Sequence, residues 1–222
     1  MTAPRAVFLD VGGPIYDDEN FVAAVLTALD ELRADAGAGP VDRVRFREIY
    51  DATRAAQAGS LRTALSEEFG VDRGALHERT REHWIHPAGT IYPDVIPFLA
   101  SLHGHVRLGV LANQEESVIR SLERDRVAPL IDVWGISAVV GLEKPSPAFF
   151  AWALAEAGVV PEEAVHIGNR LDTDVRPAKA LGLRTVWVLR GEAPDEPTEE
   201  QLAEPDISVR TLEGLGERLL AL

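Results

Sequence analysis

A chain of 222 residues, 46% of them hydrophobic, can bury a full core as one domain or as a domain with a modest insertion. Acidic residues outnumber basic ones by 36 to 22, and the net charge of -14 repels nucleic-acid backbones and anionic membrane surfaces. The sequence has no cysteine, which excludes disulfides and thiolate nucleophiles, and no apolar run long enough for a signal peptide or membrane span. We therefore expect a globular cytoplasmic protein that binds neither nucleic acid nor membranes.

The first predicted element is a short strand that ends in an acid. Residues 6–9 are all apolar, Asp10 follows them, and Gly12, Gly13 and Pro14 then break the run. An apolar run cut by turn residues is typical of a buried parallel strand. Asp10 would lie at the carboxyl end of this strand, where open α/β sheets bind their ligands.

Residues 16–87 show only helical periodicity. Apolar residues recur at helical spacing in four segments, which begin near Phe21, Phe46, Leu61 and Leu76. The last three segments are each preceded by a short polar residue that can cap a first helical turn, namely Asp42, Ser60 and Asp72. The sequence therefore predicts an all-helical unit.

Beyond Tyr92, strand and helix patterns alternate. The predicted strands are 106–112, 136–140, 164–168, 184–189 and 207–209, and helices are predicted between them. Repeated β-α units imply a parallel sheet with right-handed crossovers and helices on both faces. Because the first strand precedes the helical unit and the others follow it, that unit is predicted to be an insertion. The acidic stretch 191–205 is predicted to be an exposed connection.

Polar residues follow the predicted strands in four places, and their contexts resemble a known family. The contexts are FLDVGGPI, GVLANQ, GLEKPSPAFF and HIGNRLDTDV. They resemble the four motifs of the haloacid dehalogenase-like (HAD) hydrolase superfamily, in particular members with a helical cap inserted after the first motif. The third context is the most specific one. The resemblance implies a Rossmann-like, doubly wound parallel sheet (1–15 and 90–222) and an all-helical cap (16–89).

Elementary chemistry assigns roles to the residues of these motifs. A carboxylate nucleophile divides one difficult displacement into two easier steps, and Asp10 is the only acid on the first strand. Lys144 would neutralise Asp10 and the incoming anion. The backbone amides of Gly12 and Gly13, together with Asn113, would bind the remaining oxygens of the transferred group.

A divalent cation would screen a phosphoryl group from the charge of the nucleophile. Its predicted ligands are Asp10, a backbone oxygen of Gly12, and Asp172 or Asp174, with Asn169 at the position of the usual acid of the fourth motif. Hard oxygen ligands suit Mg²⁺. The predicted substrate is therefore a small anionic molecule, in the first place a phosphorylated one.

Three departures from the family pattern affect the chemistry. Phosphatases of the family carry an acid–base residue two positions after the nucleophile, where this chain has Gly12. The Ser or Thr of the second motif is Ala112, and the usual acid of the fourth motif is Asn169. The segment from Asn169 to Asp172 also resembles the fourth motif of haloacid dehalogenases, which need no metal.

Three hypotheses therefore stay open. The first is a Mg²⁺-dependent hydrolase of a small phosphorylated molecule, in which Asp17 or Asp18 supplies the missing acid or a good leaving group makes it unnecessary. The second is a metal-free dehalogenase in which Asp10 displaces halide. The third is a non-catalytic or regulatory protein with the same fold.

Several residues have an ordinary structural interpretation beside a functional one. Asp17 and Asp18 can simply begin a helix, where acids are favourable. His83, His86 and Trp84 can belong to a packed helix face. Three arginines of the helical unit can bind an anionic substrate or only add surface charge, namely Arg54, Arg62 and Arg81.

Overall fold

The structure is a computed structural model that describes residues 3–221. Within these residues, six parallel strands form one sheet: β1 (Ala6–Leu9), β2 (Arg107–Ala112), β3 (Val133–Ile136), β4 (Ala164–Gly168), β5 (Arg184–Val188) and β6 (Ile207–Val209). The strand order is β3-β2-β1-β4-β5-β6, so the first strand of the chain lies in the middle of the sheet. The predicted Rossmann-like α/β fold is confirmed.

Helices surround the sheet and fill the long connection between β1 and β2. They are α1 (Glu19–Asp35), α2 (Arg43–Ala56), α3 (Leu61–Phe69), α4 (Arg73–His83), α5 (Val95–Leu102), α6 (Val118–Arg124), α7 (Ser137–Val140), α8 (Pro147–Ala157), α9 (Arg176–Ala180), α10 (Glu199–Ala203) and α11 (Leu215–Leu220). Two short 3₁₀ turns cover Ala128–Leu130 and Pro161–Glu163, and a π-helical turn covers Leu171–Val175.

Strand β1 is apolar throughout because both of its faces are covered. Val7 and Leu9 belong to a hydrophobic cluster shared with α5, α6 and α11, whereas Ala6 and Phe8 belong to a cluster shared with α8 and α9. On the neighbouring strand, Gly109 leaves room for the Phe8 ring, since a Cβ atom there would lie 2.7 Å from Phe8 Cδ1. This packing fixes the position of Asp10, the residue that follows β1.

Helices α1 to α4 form a unit with its own hydrophobic cluster, which includes Leu29, Phe46 and Leu65. All three predicted caps are confirmed, because the side chains of Asp42, Ser60 and Asp72 accept hydrogen bonds from the first turns of α2, α3 and α4. The unit is inserted between β1 and the rest of the sheet. Its role as a cap, with boundaries at 16 and 89, stays a prediction.

Two predicted segments differ from the structure. The predicted strand at 136–140 is wrong, because β3 ends at Ile136 and the following residues form α7, which Gly141 ends in a left-handed conformation. A short apolar run does not distinguish a strand from a helical turn. The connection 191–205 contains α10, whose capping box pairs Thr198 with Gln201.

Among the described residues, no helix combines the length and the apolar character that crossing a membrane requires.

Candidate active site

The polar residues of the predicted motifs meet at the carboxyl edge of the sheet. Asp10, Asn113 and Asn169 directly follow β1, β2 and β4, which are neighbouring strands. The Asp10 amide extends the sheet by donating to Ile167 O at 2.8 Å. A cavity of about 490 Å³ opens between this edge and the inserted helices, and residues from both sides line it.

Asp10, Lys144 and Asp174 form a chain of charges at the floor of the cavity. Lys144 Nζ lies 3.0 Å from Asp10 Oδ2 and 2.5 Å from Asp174 Oδ1. The side chain of Asp10 is 16% exposed, whereas those of Lys144 and Asp174 are buried. Asp10 is thus the most exposed of the three, and it lines the cavity together with Lys144.

The surroundings of Asp10 and Asp174 shift the pKa values of these two carboxylates in opposite directions. Burial raises the pKa of Asp10 to about 7, although Lys144 opposes the rise. Burial would also raise the pKa of Asp174, but Lys144 and His166 hold it well below its usual range. Burial works against the charge of Lys144, yet the two carboxylates raise its pKa and keep it cationic. Lys144 and Asp174 therefore form a permanent ion pair beside Asp10.

Asn113 is held by the main chain of Lys144. Its Nδ2 donates to Lys144 O and its Oδ1 accepts from Lys144 N, both at 2.8 Å. These two bonds fix the loop that carries the lysine ammonium. The predicted contact of Asn113 with substrate oxygens stays a prediction.

The carboxyl group of Asp18 fills the space that a side chain at position 12 would occupy. A Cβ atom on Gly12 would lie 2.6 Å from Asp18 Oδ1. Asp18 is 8% exposed, and its Oδ2 accepts from Asn169 Nδ2 at 3.1 Å. Burial raises the pKa of Asp18 well above its usual range, and the negative charges of Glu192 and Asp10 raise it further. Although Asp18 precedes α1, its side chain does not cap that helix.

Gly13 lets the loop after β1 pass close to Asn169. Its φ is +80°, a conformation that favours glycine, and a Cβ atom there would lie 2.1 Å from Asn169 Nδ2. Asn169 itself is buried and donates through Nδ2 to Asp18 and to Arg190 O. Because both bonds use the amide nitrogen, the amide oxygen of Asn169 remains available as a neutral ligand.

The two acids of the fourth motif have different surroundings. Asp174 is buried behind Lys144, where its Oδ1 also lies 3.0 Å from His166 Nε2 and its Oδ2 accepts from Arg170 N. Asp172 lines the cavity but accepts two hydrogen bonds from the guanidinium of Arg170. Across residues 3–221, no cluster of three or more His, Cys, Asp or Glu side chains is arranged to hold a metal ion. Backbone or amide oxygens would have to complete any cation site.

The contacts between the insertion and the sheet domain were not predicted. Gln57 is fully buried, and its side chain donates to Glu192 O and accepts from Leu171 N. Arg170 joins Glu192 through an ion pair and donates to Gly59 O. Arg170 and Leu171 belong to the fourth motif, but their partners Gln57, Gly59 and Glu192 lie far from it in the sequence and outside the four motifs. Gln57 ends α2 with a left-handed backbone, and a glutamine does not mark that conformation in the sequence as a glycine would.

The three arginines that the sequence suggested as possible anion-binding residues have different environments. Arg54 pairs with Asp195, and Arg81 pairs with Glu78 and Glu115. Arg62 instead lines the cavity. The histidines pack as ordinary side chains: His83 Nε2 lies 2.9 Å from Glu31 Oε2, and His86 stacks on Tyr16.

Known proteins resemble this chain in sequence and in fold. Residues 141–215 match the HAD-hydrolase-like family. A glyceraldehyde 3-phosphate phosphatase of Methanopyrus kandleri is 37% identical over 124 residues, which are 53% of this chain and 52% of that protein. In this match the chain thus spans about half the length of its relative.

Two further matches extend over nearly the whole chain. A phospholysine phosphohistidine inorganic pyrophosphate phosphatase of Xenopus laevis is 30% identical over 230 residues, covering 85% of this chain and 84% of that protein. The crystal structure of a HAD phosphatase from Thermococcus onnurineus superposes with a TM-score of 0.65 at 25% identity, covering 99% and 98% of the two chains. With its sheet order and its four motifs, the chain belongs to the haloacid dehalogenase-like hydrolase superfamily.

Proposed function

We propose that this chain is a Mg²⁺-dependent phosphatase of small phosphorylated metabolites, with Asp10 as the nucleophile. Its relatives from Methanopyrus kandleri and Xenopus laevis are both named as phosphatases. The observation that carries the proposal is the contact of Lys144 with Asp10 at 3.0 Å, at the edge of a cavity large enough for a metabolite. The lysine orients the carboxylate and attracts the anionic substrate.

The donor set at the sheet edge fits a hard divalent cation. Three acidic side chains line this part of the cavity, Asp10, Asp18 and Glu192, and the charges of Glu192 and Asp10 raise the pKa of Asp18, whereas Lys144 is already engaged by Asp10 and Asp174. Asp10, the Gly12 carbonyl and the Asn169 amide oxygen would hold Mg²⁺, with Asp172 and Asp174 further away as supporting charges. When bound, the cation would offset the charge of the transferred phosphoryl group.

Asp18 is the proposed acid–base group, because its carboxyl stands beside Gly12. In the first step, an Asp10 oxygen bonds to phosphorus, the ester P–O bond breaks, and Asp18 gives its proton to the leaving alkoxide. In the second step, water attacks the aspartyl phosphate and gives a proton to Asp18. The bond between phosphorus and Asp10 breaks, and inorganic phosphate is released.

The metal-free dehalogenase hypothesis assigns a role to fewer of the residues in this site. A halide leaving group takes no proton, so the buried carboxyl of Asp18 would have no role in carbon–halogen cleavage. The phosphatase hypothesis gives that carboxyl a function, and it agrees with the names of the two relatives.

Hydrolysis of a chromogenic phosphate ester tests the proposal. We expect activity with Mg²⁺, loss of activity with a chelator, and loss in the Asp10→Asn variant, which keeps the size of the side chain. Chloride release from 2-chloropropionate that persists in chelator, without ester hydrolysis, would contradict it. Activity that survives Asp10→Asn would refute the covalent route.

A further inference from the structure

Arg62 is a half-buried arginine that lines the cavity without an ion pair among the described residues, whereas Arg73, the other arginine of the inserted helices that lines it, is exposed. Its Nη1 is buried and has no hydrogen-bond partner among the described residues. Burial outweighs the distant attraction of Glu192 and lowers the pKa of Arg62. Burying part of a cation without a counter-ion is unfavourable, so an anionic ligand that pairs with Arg62 would offset that cost.

The other cations near the floor of the cavity are already neutralised. Lys144 contacts Asp10 and Asp174, and Arg170 contacts Asp172 and Glu192. Arg62 comes from the first turn of α3, on the side of the cavity opposite the sheet. A positive charge is therefore available on the inserted helices, away from the proposed nucleophile.

A second unpartnered donor lies in the same wall. Trp84 Nε1 is buried without a hydrogen-bond partner among the described residues, and Trp84 lines the cavity together with Phe21. The Phe21 ring contacts both residues, since its centroid lies 4.9 Å from that of Trp84 and 5.8 Å from Arg62 Cζ. The aromatic ring thus packs against the guanidinium and the indole of this wall.

We propose that Arg62 and Trp84 form an anion-binding subsite, and that the substrates are phosphomonoesters with a second anionic group away from the scissile phosphate. A guanidinium and an indole N–H both donate only, which suits a carboxylate or a second phosphate and excludes a cationic substituent. The inference rests on the proposed phosphatase function and specifies the substrate class of that same site.

Binding of non-hydrolysable phosphonates tests the subsite without any turnover. With Mg²⁺ present, calorimetry compares 3-phosphonopropionate with propylphosphonate, which differ by a carboxylate in place of a methyl group. We expect the carboxylate compound to bind roughly tenfold or more tightly, as a charge-assisted contact in a partly dry site allows. A propane-1,3-bisphosphonate arm shows whether a second phosphoryl group is preferred to a carboxylate.

Two variants and a matched control locate the effect. Arg62→Gln should abolish the preference for 3-phosphonopropionate, and Trp84→Phe, which removes the N–H donor but keeps an aromatic ring, should reduce it by a smaller factor. Arg47→Gln is the control, because Arg47 is an exposed arginine of the same inserted unit outside the cavity. It should keep the full preference, and unfolding curves should show that all three variants fold.

The outcomes separate this inference from the phosphatase proposal. Equal binding of the two monophosphonates by the unmodified chain, or a preference that survives Arg62→Gln, overturns the subsite even if phosphate esters are hydrolysed. A preference that depends on Arg62, in a chain that hydrolyses no phosphate ester, supports the subsite and refutes the phosphatase activity.

Discussion

Asp174 and Asp18 are both buried carboxylates beside the same cavity, yet their surroundings are opposite. Asp174 contacts the Lys144 ammonium and His166 and accepts from a backbone amide, and its pKa is lowered. Asp18 accepts from the Asn169 amide, has negatively charged neighbours, and its pKa is raised. The first carboxylate is committed to an ion pair, whereas the second is available for proton transfer.

This difference follows from how each residue reaches the site. Asp174 lies in the π-helical turn after β4, and the Cβ position of Gly168 is so close to it that glycine is needed there. Asp18 reaches the site from the entrance to α1 and enters the gap that Gly12 leaves. A rigid sheet edge holds the ion pair, and the junction with the insertion carries the acid.

The largest effect is expected for Asp18→Asn, which removes the proposed acid but keeps its shape. Turnover of an alkyl phosphate should fall by about 10²–10⁴-fold, the usual range for loss of a general acid. A phosphate ester with a nitrophenol leaving group should lose less, because that group needs less protonation. Steady-state rates on the two esters measure the difference.

The stability of Asp18→Asn provides the second half of this comparison. Because the pKa of Asp18 is raised by burial, its carboxyl must take up a proton on folding at neutral pH, which costs stability that the neutral Asn side chain does not lose; the free energy of unfolding of the variant should be unchanged or higher. Equal rate losses on both esters, together with a destabilised fold, would show that Asp18 acts only as a structural residue.

The Asp174→Asn substitution should mainly lower the stability of the fold, whereas Asp18→Asn should mainly lower turnover. Removing one partner of a buried ion pair leaves Lys144 with Asp10 as its remaining carboxylate partner, which costs up to about 3–5 kcal/mol in free energy of unfolding. Urea unfolding measures this change. Asp172→Asn is the control, since Asp172 is partly exposed and Arg170 keeps Glu192 as a second partner, so the loss of stability should be smaller. Similar losses in both variants would remove the distinction.

Substitution of Asp94 should also lower the stability of the fold, by less than substitution of Asp174, and the loss should depend on pH. Burial raises its pKa, but hydrogen bonds from Arg190, Thr211 and the Leu212 amide outweigh burial and leave the pKa lowered. Such a group adds stability above its unfolded pKa of about 4 and loses that contribution as the pH falls through its folded pKa.

We therefore expect Asp94→Asn to cost about 1–2 kcal/mol at neutral pH, as loss of charged hydrogen bonds does. The difference from the unmodified chain should shrink as the pH falls below about 4. Urea titrations at several pH values measure it. A difference that is independent of pH would show that Asp94 is not charged in the folded protein.

The sequence predicted the parts of this site that lie close to a strand end. Asp10, Asn113 and Asn169 directly follow apolar strands, so the sheet itself brings them together. Asp18 meets Asn169 across 151 positions of the chain, and no local pattern reports that contact. The sequence therefore offered Asp17 and Asp18 as equal candidates, whereas the position of Gly12 distinguishes them.

The same limit applies to the arginines and to short apolar runs. Arg54, Arg62 and Arg81 are alike as residues of amphipathic helices, and only tertiary packing leaves Arg62 unpaired in the cavity. The strand predicted at 136–140 failed because Val139 is exposed in a helical turn, which an apolar run does not predict.

The most direct test of the claim that Asp18 is the acid–base group exchanges the residues at positions 12 and 18. Asp18→Gly alone should lose alkyl phosphate turnover by about 10²-fold or more, and Gly12→Asp alone should collide with Asp18. We predict that the Gly12→Asp/Asp18→Gly double variant recovers most of the lost rate, because the carboxyl again stands beside Asp10. A double variant no more active than Asp18→Gly, or an Asp18→Gly variant with full activity, would contradict the claim that Asp18 replaces the missing acid.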